Sequence, residues 1–581
     1  MEDIQAILHG KYNLLEKITF PSTTQELSFL STLEKLEKNS IHIPYLNQDI
    51  ANILSDITLS NENLEKLRKL NWEEFSQIIT HAHDEERKEK IYSGFITYLK
   101  QEFNIREEQT LTQHTFASKD TTSIQKNIFI KQDKFDIEKD TKDKAEKFGI
   151  NIAFDYIEKS SKLSVVDFTL YFNKRLQYFT DLLKNRVSLE NIVRIEKLKD
   201  LNKTNTAVSI IGLVSEIEET KNGHLLITLE DKSGQIPCFV NKQKLDPHNE
   251  KHDKNMAAIV AGLCLDEGIA IKGKMGDKLI WVDEIIVPSP PNTAELKRTE
   301  DEHYVVCISD IHFGAKVFVD TAFQKFVDWL RGETKNEALN KIAKKVKYIF
   351  IAGDVIEGIG IYPDQGKDAR ILSTELQYHE AARWLSQIPQ DKTIIIISGN
   401  HDTNRLSEPQ PKLPYDKTYA LYNMPNVVML SNPSIVRLFE TDPCGGQEFY
   451  LYHGGSIFYY ADKIKPLRDK GGAKAPQEVI AYLLEKRHLA PSHGSTLYIP
   501  DSKNDPLVIK KMPDFFLTGH THKMSVKNYK GCTILSCGCW VEMSDYQEKM
   551  GMFPDIGKCL LINTKTRKPA IINFYKESDE E

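Results

Sequence analysis

The apolar positions of this chain change their spacing along its length, and each change marks a boundary. Up to about residue 100 they recur with the period of a helix, as from Leu27 to Leu36 and from Trp72 to Ile79, with Pro21 and Pro44 as punctuation. This predicts a small helical domain over residues 1–104. Residues 105–145 are polar, rich in Lys, Asp, Thr and Gln, with one apolar patch at Ile128-Phe129-Ile130. Such a stretch predicts a flexible linker, or a segment that orders on a partner. Over 146–204 helical spacing returns: Val165, Phe168, Phe172, Leu176, Phe179 and Leu183 fall three or four apart.

From Ala207 the pattern becomes that of strands. Ala207–Val214, His224–Leu229, Gln235–Val240, Gly268–Lys274 and Lys278–Val287 each read as one, and Asn222-Gly223 marks a tight turn between the first two. Five such strands over 205–292, ended by Ser289-Pro290-Pro291-Asn292, suit an oligonucleotide-binding (OB) barrel. Phe239 and Trp281, with Lys221 and Lys242, are its candidates for stacking on single-stranded bases. The alternative places both aromatics in the core and makes the barrel a scaffold for its neighbour. From 300 to 581 strands alternate with helices, the latter suggested by Thr321–Leu330, Leu376–Ser386 and Gln477–Lys486. The expected fold class is therefore multidomain α+β: a helical domain, an OB barrel and a C-terminal αββα sandwich.

Five apolar runs in this last region each end in polar groups. Val305–Ile308 leads to Asp310 and His312, Tyr348–Ile351 to Asp354, and Ile394–Ile397 to Asn400-His401-Asp402. Phe449–Tyr452 leads to His453, and Phe515–Leu517 to His520 and His522. Buried strands would thus deliver two Asp, one Asn and four His at their carboxyl ends, where open α/β sheets place their sites. Carboxylate, amide oxygen and neutral imidazole without thiolate suit a pair of divalent cations. The glycine before Asp354 permits a tight turn, so that its carboxylate can bridge two ions. Two such ions about 3.5–4 Å apart clamp a phosphate and activate a water for in-line attack. His401 follows Asn400 and is placed to donate a proton to the leaving oxygen.

These five blocks resemble the calcineurin-like metallophosphoesterase superfamily. The resemblance implies Asp310, His312, Asp354 and His522 around one metal, Asp354, Asn400, His453 and His520 around the other, and His401 as the catalytic histidine. Further blocks narrow it: Ser309-Asp310-Ile311-His312-Phe313-Gly314-Ala315-Lys316, Gly358 to Pro363, Gly399-Asn400-His401-Asp402 with Arg405 and Glu408-Pro409-Gln410-Pro411, and Arg487-His488-Leu489-Ala490-Pro491. Together they are similar to the small-subunit family of archaeal family D replicative DNA polymerases. That resemblance implies a metal-dependent 3′→5′ exonuclease using two Mn²⁺ or Mg²⁺ ions. Its implied partners are a large catalytic polymerase subunit in a heterodimer, the single-stranded 3′ end of primer–template DNA, and a sliding clamp reached through the holoenzyme. Asp402, Arg405, Lys316 and Glu408 are expected to support the site or touch DNA. Two positions depart from the family pattern: Glu357 where an Asp is expected, and Gly455 where an Arg commonly follows His-Gly.

Composition narrows the partners. A net charge of −7 argues against a chain that grips DNA alone through bulk electrostatics. With 581 residues, several cores are expected. No run of about 18 apolar residues occurs and the N-terminus lacks signal-peptide character, so no membrane contact and a cytoplasmic setting are expected. The eight cysteines are scattered, which fits reduced thiols; Cys532, Cys537 and Cys539 read as core rather than zinc ligands. His379, His488 and His493 fall outside the ligand set, and the acidic tail from Glu577 reads as a solvated end. Two other functions compete. A repair nuclease of the same superfamily would begin with the phosphoesterase domain, whereas roughly half of this chain precedes it. A non-catalytic replicase scaffold would have lost metal ligands.

Overall fold

The computed structural model describes residues 135–158, 163–186, 189–198, 205–291, 295–543, 548 and 551–575, with scattered residues between 13 and 100. Two compact units result, Met1–Asp136 and Ile137–Glu581. In the first, Asn13–Leu14 pairs in parallel with Tyr45–Leu46. Helical Phe29, Leu33, Leu36, Ile50 and Leu54 are buried there. The Trp72–Ile79 run, the stretch 105–134 and the acidic tail lie outside the described residues.

The second unit begins with α1 (Ile137–Lys147), β1 (Ile150–Asp155) and α2 (Val165–Leu183). A closed barrel follows: β2 (Ala207–Glu219), β3 (Leu225–Asp231), β4 (Gly234–Val240), the helix α3 (Lys254–Ala261), β5 (Gly268–Met275) and β6 (Ile280–Ile286), in the order β2-β3-β4-β6-β5. Alternate residues such as Ile227, Leu229, Ile236, Cys238 and Val240 fill its interior. Phe239 and Trp281 point outward from β4 and β6 and meet edge to face, and Trp281 is 50% exposed. The core placement of Trp281 is thereby excluded.

Two six-stranded sheets form the rest. The first contains β7 (Tyr304–Ile308), β8 (Val346–Ala352), β9 (Thr393–Ile397) and β10 (Val427–Leu430), all parallel. The second contains β11 (Ser434–Leu438), β12 (Gln447–Leu451), β13 (Phe515–Thr518), β14 (Ser525–Tyr529) and β15 (Cys532–Ser536), with β1 on its edge. The first is completed by β16 (Lys558–Asn563) and β17 (Pro569–Asn573), beside β7. Phe350, Ile395 and Ile397 of one sheet pack on Phe449, Leu451, Phe515 and Leu517 of the other. Every residue of β9 and β12 is buried, as strands covered on both faces require. The helix α4 (Asp320–Arg331) covers the first sheet, with Phe323 and Phe326 against Trp540. A second helix, α5 (Thr374–Leu385), buries Tyr378, Ala381 and Leu385. On the second sheet lies α6 (Pro476–Lys486), whose Val479, Ile480 and Leu483 meet Tyr450 and Phe516. Cys532 and Cys537 are buried in these cores, and Cys539 beside them. This is the expected αββα sandwich beside a five-stranded barrel.

The sequence boundaries need one correction. Residues 137–145, placed at the end of the linker, form most of α1, and β1, placed in the helical lead-in, edges the second sheet. The sandwich therefore begins at Ile137 rather than at 300. The polar composition of α1 hid it. Its buried residues are only Thr141 and Ala145, and charge holds it: Lys412 Nζ is 2.7 Å from both Glu138 and Asp155.

Barrel and sandwich are joined by buried polar groups. Glu267, at the start of β5, pairs with Lys486 of α6 at 2.6 Å. Arg175 of α2 donates from Nε to Asp505 Oδ2 at 2.8 Å, and the same oxygen accepts from His488 Nε2 at 2.9 Å. The Arg487–Pro491 block is thus the seam of the second unit: His488 meets Asp505, and the Pro491 carbonyl accepts from Arg175.

Candidate metal centre

The loops leaving β7, β8, β9, β12 and β13 bring all seven expected ligand residues together. Nε2 of His312 lies 3.3 Å from Nε2 of His522, and Nε2 of His522 is 3.4 Å from Asp310 Oδ1. Nε2 of His453 is 3.1 Å from Asn400 Oδ1 and 3.3 Å from Asp354 Oδ2. That same Asp354 oxygen is 3.9 Å from His312 Nε2. Asp310, His312 and His522 form one cluster, and Asp354, His453 and His520 another. Donors about 2.1 Å from a common ion stand roughly 3–3.5 Å apart. Two imidazole edges that face each other at such a distance, among buried carboxylates, fit a cation between them.

Backbone geometry explains why these loops can do this. Asp310, His312, Asp354, His520 and His522 all have left-handed backbones, with φ between 51° and 68°. Such conformations cost on the order of 1–3 kcal/mol each and persist where the surroundings impose them. Glycines leave room for the carboxylates. A β-carbon on Gly399 would stand 2.1 Å from Asp354 Oδ1, and one on Gly519 2.5 Å from Asp310 Oδ2. Backbone amides finish the placement: His401 N–H donates to Asp354 Oδ1 at 2.8 Å, and His520 N–H to both Asp310 oxygens at 3.0–3.1 Å.

The rings are oriented from behind. His453 donates from Nδ1 to the Ala352 carbonyl at 2.7 Å, which turns Nε2 to the site. His401 donates from Nδ1 to the Glu357 carbonyl at 2.7 Å, so its Nε2 faces away from that loop. Burial lowers the His401 pKa, which leaves the ring neutral at neutral pH. Burial, aided by His453, also holds His520 down at about 3. Against the same burial, the charge of His453 keeps Asp354 ionised, well below the usual carboxylate range.

The calcineurin-like phosphoesterase family matches residues 303–524. The DNA polymerase II small subunit of Methanothermobacter thermautotrophicus is 34% identical over 420 residues, covering 71% of this chain and 82% of that one. The chain belongs to the DNA polymerase II small subunit family. The subunit from Thermoplasma acidophilum is 33% identical, over 71% of this chain and 78% of its own. That from Methanocaldococcus jannaschii is 33% identical over 69% of this chain and 64% of its own.

In this member of the small subunit family the other named residues take distinct places. Asp402 is buried and ties two ligand loops together. Its Oδ2 accepts from Gly399 N–H at 2.8 Å in its own loop and from Val355 N–H at 3.3 Å in the Asp354 loop, and its Oδ1 from Tyr378 at 3.1 Å. Burial, with Asp354 nearby, raises its pKa to about 6. Glu408 is buried as well, accepts from Tyr452 at 3.1 Å, and is pushed up to about 7 by burial. Both side chains are almost wholly buried. Arg405 pairs with Glu158 and donates to the Ser407 and Pro409 carbonyls. Lys316 is exposed and donates to the Lys367 carbonyl at 2.7 Å. Of the remaining histidines, His379 meets the Tyr419 hydroxyl and His493 the Tyr498 hydroxyl.

Both departures from the family pattern have structural partners. Glu357 Oε2 lies 3.1 Å from Nδ1 of His312, off the line of a straight hydrogen bond, and steadies that ring. Its carboxyl falls to about 2: burial opposes this, but His312 prevails. The longer Glu side chain is what spans to the ring. Gly455 packs on Glu408; a β-carbon there would stand 2.7 Å from Glu408 Oε1. Gln365 and Gln377 were not legible as site residues. Gln365 Nε2 donates to the Glu357 carbonyl at 2.7 Å, and Gln377 Oε1 accepts from Gly358 N–H at 2.8 Å. No strand ends near either residue, so no pattern marks them.

Proposed function

We propose that this chain is the nuclease subunit of a two-subunit replicative DNA polymerase. In this reading Asp310, His312, Asp354 and His522 hold one divalent ion, and Asp354, Asn400, His453 and His520 the other, Mn²⁺ or Mg²⁺. The shared Asp354 oxygen carries the reading, because it stands between histidines of both clusters. When bound, two such ions clamp a phosphate and activate water for in-line attack. The chain's own part is placement and proton transfer. Asp310 and Asp354 are fixed by backbone amides, which keeps the ligand set in place without substrate. His401, neutral and with Nδ1 engaged, presents Nε2 as the group that manages the proton at the leaving 3′ oxygen.

The substrate is the 3′ end of a single or frayed DNA strand at a primer–template junction, and digestion runs 3′→5′. A paired terminus must unstack before its phosphate reaches a recessed centre. A mismatch lowers that cost and gives proofreading. The relatives' designation as small subunits supports a large catalytic partner, through which any sliding clamp would be reached. The barrel and sandwich, joined by Lys486–Glu267 and Arg175–Asp505, offer that partner one continuous surface. A scaffold without activity has no need of seven ligands and a seated histidine.

The test is hydrolysis of a 5′-labelled single-stranded oligonucleotide with Mn²⁺ or Mg²⁺. A ladder shortening from the 3′ end, with mononucleotide products, is expected. Internal fragments alone, or no cleavage beside an active large subunit, would contradict it.

A further inference from the structure

A cleft of about 490 Å³ opens beside His401, and none of the seven ligand residues lines it. Its walls are unlike the centre. One wall is the loop after β8, whose tip carries Ile359, 39% exposed, and Ile361, half-buried. Thr403, Arg405 and Glu158 line the cleft as well. Exposed isoleucines at the mouth of a polar centre call for an occupant with apolar faces.

The loop is built to hold its tip still. Gly358 N–H donates to Gln377 and Ile361 N–H to Gln365 Oε1, at 2.8 and 2.9 Å. The Tyr362 hydroxyl bridges Glu357 and Asp368 at 3.1 and 3.0 Å. Gly358 and Gly360, with φ of 76° and 83°, flank Ile359 and turn the chain around it. A β-carbon on Gly358 would stand 2.2 Å from the His401 carbonyl oxygen, so the tip is registered directly against the catalytic histidine.

The charge of the cleft narrows the ligand. Among the described residues that line it, the one cationic side chain, Arg405, is already held by Glu158 and by the Ser407 and Pro409 carbonyls. These described walls therefore have little to offer a second phosphate. They offer aliphatic surface for a flat heterocycle, in a volume of the order that small-molecule sites have.

We infer that this cleft seats the terminal nucleoside of the strand being cut, with Ile359 and Ile361 against its base. The inference rests on the phosphodiesterase reading above. A base engaged this way has left its partner strand, so the cleft itself selects frayed over paired ends.

The test uses the full chain and Ile359→Asp, with Ile359→Leu as the conservative variant. Ile359 is exposed, so neither change disturbs the core. Binding of 2-aminopurine deoxyriboside monophosphate is read by fluorescence, without turnover. Hydrolysis is read on an oligonucleotide and on bis(p-nitrophenyl) phosphate, a diester without a base. Ile359→Asp should weaken nucleotide binding about tenfold or more. Its kcat/KM should fall about fivefold more on the oligonucleotide than on the base-free diester, through KM. Ile359→Leu should restore both. Equal losses on the two substrates, or unchanged nucleotide binding, overturn the inference. If the unsubstituted chain cleaves neither substrate, the phosphodiesterase reading fails and the binding measurement alone decides the cleft.

Discussion

Oδ2 of Asp354 stands 3.3 Å from Nε2 of His453, and the same oxygen looks toward Nε2 of His312 at 3.9 Å. One carboxylate thus serves two sets of ligands. Asp354→Ala should therefore remove more metal than any single histidine substitution. Titration of Mn²⁺ into the apo protein should show both sites weakened in this variant, and only one in His522→Ala. Full occupancy of two sites in Asp354→Ala would exclude the bridge.

His401 contacts Asp354 through its backbone amide, and in the proposed reaction its ring is the group that handles the proton. His401→Ala preserves that amide. It should keep its metal content and lose about 10²–10⁴-fold in turnover. Unchanged turnover at saturating metal would remove the ring from the reaction.

Glu357 acts through His312. Residues that orient a ligand typically contribute about 10–100-fold to metal affinity. Glu357→Ala should weaken the ion held by His312 and His522 by that amount and spare the one at His453. Glu357→Gln, which keeps the length, should lose less. Equal weakening of both ions would place Glu357 outside this role.

The seam between barrel and sandwich gives the protein a pH dependence. Burial, reinforced by Arg175, lowers the His488 pKa to about 4, although Asp505 opposes this. The unfolded chain then takes up a proton that the folded chain refuses between about pH 6.5 and 4. Stability is full above that window and falls as pH drops through it, by on the order of 3 kcal/mol. Asp505, held far below the usual carboxylate range by His488 and Arg175 despite its burial, stays ionised throughout. His379, also lowered to about 4 by burial, adds to the same slope. Denaturation midpoints of the protein and of His488→Gln, measured from pH 7 to 4, should diverge, with the variant flatter. Parallel curves would contradict the assignment.

How much of this was legible in the sequence follows from distance along the chain. The ligands were legible because each lies within a few residues of an apolar strand, and strand ends converge in a parallel sheet. The five barrel strands were legible because each alternates on its own. The Arg175–Asp505 pair joins residues 330 apart, and no local pattern records it. The helix α1 was missed because its packed face is only Thr141 and Ala145, too small to raise an apolar period. Gly455 reads in the sequence only as a departure from the family pattern; the Glu408 carboxyl behind it exists only in three dimensions.

Seven side chains are expected to hold two ions, one on either side of Asp354. Crystals of the protein equilibrated with Mn²⁺ give the most direct answer, through the anomalous difference map. Two peaks are expected about 3.5–4 Å apart, flanking Asp354, one near His312 and His522 and the other near His453 and His520. A single peak, or two peaks that do not share Asp354, would contradict the account.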